Sequence, residues 1–181
     1  MSQQTLLIVV IVIVVLAAVA GLVVFGLFLW RRTVKRYLVG LIGRREGVRA
    51  GLKSLEGVVS GLAACSDGEL VAIALDQETE ERRALGEIAS QMRIAAEDLA
   101  TMALPKHLVD VANELSDAAE LVWEQAEAVV KGEGVEVLDA LAAIDLAAVR
   151  RHLTNADIGI ADLQKQYKVD EQAVYGGGLY I

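Results

Sequence analysis

The chain has 181 residues, 55% of them apolar, with a formal net charge of −8. That length suits one ordinary domain plus an anchor, and the high apolar share calls for a membrane segment. A single cysteine, Cys65, excludes a disulfide-stapled secreted module, and the strongly acidic balance excludes nucleic acid as a partner.

The first element is an uncharged run from Thr5 to Trp30. At helical rise its 26 residues cover roughly 39 Å, more than the hydrocarbon core of a bilayer, so residues 1–30 are expected to form a single transmembrane helix. A cleaved signal peptide fits less well: "MSQQ" has no basic side chain, and the apolar run continues for ten residues past Ala20. Trp30, Arg31, Arg32, Lys35 and Arg36 follow at the interface. Positive charge flanks only this end, which places it in the cytoplasm and the N-terminus outside. Residues 31–53 carry eight basic residues against Glu46 alone, a net +7. These charges favour the anionic headgroups of the lipid bilayer. Arg44, Arg45 and Arg49 stand too far along for lipid and are expected to pair with acidic helices or an acidic partner.

Residues 31–65 read as a continuation of the same helix, which becomes the first of four bundle helices. Val34, Leu38, Leu41, Val48, Leu52, Leu55, Val59 and Leu62 form one seam at helical period, interrupted by Arg45. "CSDGEL" marks a turn, with Ser66 and Glu69 at capping-box spacing. The second helix is expected from there to Leu104, with Val71, Ala74, Leu85, Ile88, Met92, Ala95, Leu99 and Met102 on its inward side and "DQETEERR" either an overhang or a local break. Pro105 opens the third helix, seamed by Leu108, Ala112, Leu115, Ala119, Val122, Ala126 and Val129. "KGEG" ends it. A fourth runs from Val135 to Tyr167, seamed by Val135, Leu138, Ala142, Val149, Leu153, Ala156, Ile160, Leu163 and Tyr167, with a restart or kink at Thr154–Asp157. Residues 66–167 thus supply three further helices, and 168–181 a tail. The expected fold is all-α: a single N-terminal transmembrane helix continuing into an antiparallel, up-down cytosolic four-helix bundle.

Six glycines, Gly40, Gly43, Gly47, Gly51, Gly57 and Gly61, fall on one strip of the first bundle helix. Each costs about 1 kcal/mol in a helix interior. Close helix packing against this strip is the expected return. A second copy of the chain or another protein seated on it is an alternative. In the tail, Tyr175, Leu179, Tyr180 and Ile181 are candidates for partner docking or for docking back onto the bundle.

No reactive constellation emerges. Paired Glu-x-x-His motifs are absent, His107 and His152 are isolated in sequence, and no glycine-rich loop joins a strand to a helix. We therefore expect no cofactor, no metal and no enzymatic activity. In layout, an N-terminal membrane helix followed by a cytosolic helical bundle, the chain is similar to LemA-type proteins. It lacks the charged, proline-containing stretch that follows the anchor in that family. The leading expectation is a scaffold or adaptor that recruits an unknown protein partner, or a second copy of itself, at the cytoplasmic face of a bacterial-type inner membrane. The alternative is a sensory module that transmits a shift through the continuous membrane-to-cytosol helix.

Overall fold

Six helices account for nearly all of the described chain: α1 Gln3–Ala63, α2 Asp67–Leu75, α3 Glu80–Thr101, α4 Lys106–Lys131, α5 Val135–Ala142 and α6 Leu146–Tyr167. The computed structural model describes residues 3–169, with side chains from Ile13 onward, and no strand occurs among the described residues. By contact density the chain divides into two units, Met1–Tyr37 and Leu38–Ile181.

α1 runs without a break through all six glycines. Their helix-propensity cost is offset by burial of Leu38, Leu41, Ile42, Val48, Leu52, Leu55 and Leu62. The predicted seam of α4 is buried at every position from Leu108 to Val129. α6 buries Val149, Leu153, Ala156, Ile160 and Leu163 at the same period. No aromatic side chain is buried among the described residues; the core is aliphatic, with Ala112, Ala118, Ala119, Ala126 and Ala156 deep inside it.

Cross-helix contacts fix the pairing registers. α3 meets α4 where the Ser116 hydroxyl donates to the Ala96 carbonyl and where Gly86 approaches Val130. α4 meets α6 at Val111 with Gly159 and at Gln125 with the Asp145 amide. Within the second unit, α1 meets α3 at Arg44 with Asp98 and at Gly51 with Met92. It meets α6 at Arg49 with Asp157 and at Glu56 with Arg150. In each pair residue numbers rise on one helix as they fall on the other, so each pair is antiparallel.

Two of the expected long helices are divided. The stretch from Ser66 to Leu104 becomes α2 and α3, separated at Asp76–Thr79, where the Thr79 side chain accepts from the Arg82 amide as an N-cap. The helix expected over Val135–Tyr167 breaks at Ala143–Asp145, not at Thr154–Asp157. The reason is local. The Asp145 carboxylate caps α6 by accepting from the Ala148 amide at 2.9 Å, whereas the Thr154 hydroxyl bonds back to the Arg150 carbonyl inside the helix.

The α2 start carries the expected capping interaction. The Ser66 amide and hydroxyl both donate to the Glu69 carboxylate, each at 2.7 Å. Those two bonds, the amide first, hold the Glu69 carboxyl below the usual glutamate range. A lowered folded-state pKa means that the cap stabilises above the unfolded-state value and is lost as pH falls through the folded-state value. An NMR titration of the Glu69 side chain should give a midpoint below that of an unperturbed glutamate. Ser66→Ala, which removes the hydroxyl bond and keeps the amide bond, should return it part of the way to the ordinary value, and a parent midpoint equal to that of an unperturbed glutamate would show that the cap does not form in solution.

The ends of four helices meet at Arg82, which is 2% exposed. Its guanidinium faces carbonyls: Nη2 donates to Val130 at 2.7 Å and Gly132 at 2.8 Å, and Nη1 reaches Ala74 at 3.5 Å. These lie at the C-terminal ends of α2 and α4, where helix dipoles concentrate negative potential. Beside them the Gly134 amide donates to the Ala74 carbonyl at 3.2 Å, and Gly134 adopts φ 55°, a backbone state that favours glycine.

Candidate functional site

The sequence singled out three regions. In the first, α1 presents large apolar side chains to the exterior from Ile13 through Trp30, with Leu22 at 71% and Phe28 at 62% exposure. Arg31, Arg32, Lys35 and Arg36 follow, all exposed. This is the one helix among the described residues that is long and apolar enough to cross a membrane.

The glycine strip forms the second region, and here the expectation of close helix packing needs correction. Gly51 is the position where a neighbouring helix presses: a Cβ there would run into the Met92 Sδ. A Cβ on Gly40 would meet only the Arg44 side chain of its own helix, and on Gly43, Gly47, Gly57 or Gly61 it would meet nothing within 4 Å among the described residues. The physical reason is that the leucine-valine seam takes the inward face of α1. The glycines are left on its flank, where Gly47, Ala50, Gly51 and Ser54 line an open groove of about 380 Å³ against Gln91, Met92 and Ala95 of α3. The tightest glycine outside α1 is one that sequence reading passed over: a Cβ on Gly159 would lie 2.5 Å from the Val111 Cγ2, so α4 and α6 approach closely there. "DIGIAD" offered a signal, a glycine in an apolar helix one residue before a core position.

Beyond the interface residues, Arg44, Arg45 and Arg49 pair with carboxylates, including Asp98 of α3 and Asp157 of α6, as expected. Arg44 pairs with Asp98 at 3.0 Å, and Arg49 grips both Asp157 oxygens, at 2.8 and 3.0 Å. Arg45, which interrupts the apolar seam, is only 7% exposed and contacts Glu46 at 2.7 Å and Asp157 at 3.5 Å. A buried guanidinium is tolerable because two carboxylates converge on it. The third region, Tyr175, Leu179, Tyr180 and Ile181, lies outside the described residues.

The histidines sit on helix pairs. His152 lies 2.8 Å from a Glu114 carboxylate oxygen that also accepts from Asn155 at 3.2 Å. His107 stacks on Tyr167 and its Nε2 lies 3.0 Å from the phenol oxygen. No group of three or more metal-ligating side chains occurs among the described residues. The acidic run Asp76–Glu81 occupies the α2–α3 break and the first turn of α3, where Glu80 and Glu81 suit the helix dipole.

These observations define an all-helical protein with one candidate membrane-crossing helix at its N-terminus and a densely cored helical unit after it. No family model matches the chain, and neither does any curated protein or solved structure compared with it.

Proposed function

We propose that this chain is a single-pass inner-membrane scaffold. In this reading the N-terminal part of α1 crosses the bilayer, Trp30, Arg31, Arg32, Lys35 and Arg36 sit at the cytoplasmic interface, and the N-terminus faces outward. The antiparallel pairs of α1, α3, α4 and α6 close as an up-down four-helix bundle in the cytoplasm, where it recruits a protein partner. The observation that carries the reading is the run of exposed apolar side chains from Ile13 to Trp30, followed directly by basic residues. Water would penalise that surface at roughly 25 cal/mol per Å², and lipid would not. Four exposed cations on one side of the run set its direction by the positive-inside rule.

Cys65, the only thiol, gives a direct test. In intact cells a membrane-impermeant maleimide should leave Cys65 unlabelled, and detergent permeabilisation should expose it. Labelling before permeabilisation would overturn the topology. Crosslinking in native membranes should also return a reproducible protein partner or a second copy; neither appearing would sink the scaffold reading.

A further inference from the structure

The end of the helical unit formed by α2 and α5 combines two features that ordinary solvated surface keeps apart. Leu75 is 74% exposed, Val135 is 70% exposed and Val71 is 48% exposed. Val71 and Leu75 are four residues apart on α2 and so share one face. Leu75 and Val135 each directly follow a residue of the Ala74–Gly134 backbone hydrogen bond, which brings the two helices together at that point. The two stretches that carry this patch hold charge of one sign. Residues 66–81 hold six Asp and Glu and residues 132–149 hold four, with no Lys, Arg or His in either stretch. Nine of the ten are exposed. The bordering cations offset only part of this: Arg82 and Arg83 bond to carbonyls and keep their charge, which leaves the two stretches with Arg82 and Arg83 at a net −8, while Lys131 pairs with Glu127 at 3.0 Å and Arg150 with Glu56 at 2.7 Å.

Resting on the scaffold reading, we infer that the α2–α5 end is the docking surface and that its occupant is a cationic segment of another protein bearing apolar side chains. An anionic leaflet or a nucleic acid would meet a surface of net negative charge and be repelled. A second copy of this chain is a poorer occupant: of its basic stretch, Arg31, Arg32, Lys35 and Arg36 lie at the membrane in that reading and Arg44, Arg45 and Arg49 are spent on Asp98, Glu46 and Asp157, which leaves Lys53 alone. A segment with lysine or arginine flanking two or three leucine-like side chains satisfies both halves of the surface. The apolar groups supply affinity and the surrounding charge steers approach.

The test uses the full chain in nanodiscs of zwitterionic lipid, with empty discs as reference. A labelled synthetic helical peptide carrying leucines at i, i+4 spacing amid lysines should bind the protein above the empty-disc signal and weaken as salt rises. The same peptide with glutamate for lysine should not bind. Leu75→Gln together with Val135→Gln, both at exposed positions, should leave the melting temperature unchanged and reduce peptide affinity by about tenfold or more. Binding of the lysine peptide that the double variant does not change, or no binding at all, overturns the inference. In cells, a photo-reactive amino acid at position 75 should crosslink to a peptide of net positive charge. Crosslinks to acidic peptides, or none at 75 while the same group at position 94 captures a protein, would refute this surface and leave the scaffold reading standing. No capture from either position would refute the scaffold reading itself.

Discussion

Arg82→Ala is expected to lower the unfolding free energy of the helical unit by about 3 kcal/mol, the loss of two or more charge-assisted hydrogen bonds from a dry site. The guanidinium is 2% exposed and donates to carbonyls of residues 130 and 132, with residue 74 at the edge of reach. Its removal would take the Arg82 donor from the Val130 and Gly132 carbonyls at the end of α4, leave Ala74 with the Gly134 amide alone, and open a cavity beside them. Arg82→Lys should recover less than half of the loss, because a single ammonium cannot span the carbonyls that a planar fork reaches. Chemical denaturation reads the total. Hydrogen exchange should show the Gly134 amide, bonded to Ala74, losing protection first. A loss below about 1 kcal/mol would mean that Arg82 contributes no more than an exposed ion pair does.

The second large effect has the opposite sign. Replacing Gly43, Gly47, Gly57 and Gly61 with alanine together should raise stability by about 2–4 kcal/mol, since each substitution removes a helix-propensity penalty of about 0.5–1 kcal/mol. Nothing among the described residues stands within 4 Å of the added methyl groups. Gly159→Ala should instead cost about 1–3 kcal/mol, because its methyl would drive into the buried, β-branched Val111 side chain, which has little rotamer freedom to yield. Gly51→Ala should fall between the two, as Met92 is flexible and can swing aside. The comparison is made by thermal unfolding of each variant in the same detergent. A fourfold alanine variant no more stable than the parent would mean that another molecule occupies the strip in solution.

Periodicity carried most of the architecture. The seams of α4 and α6 could be written down from their apolar spacing, and every named α4 position proved buried. This works because a helix that covers a core must repeat its apolar face at 3.6 residues whatever its neighbours are. Boundaries were less legible. Asp145 and Thr154 are both good capping residues in sequence, and only the chain's return to Gln125 and the fit of α6 against α4 selected Asp145. Thr154 was free to satisfy its hydroxyl on the preceding turn.

Residue order alone therefore determined the helical class, the long apolar N-terminal segment, the basic-then-acidic charge order and the inward faces of α4 and α6. These follow from local spacing and composition. Val71 and Val135, expected on core seams, are instead 48% and 70% exposed. Tertiary structure decided which glycine is crowded, where Arg82 hides its charge and which acidic residue each arginine of α1 meets. Those outcomes depend on the register between helices far apart in sequence, set by side-chain packing across the interface rather than by any residue's near neighbours in the chain.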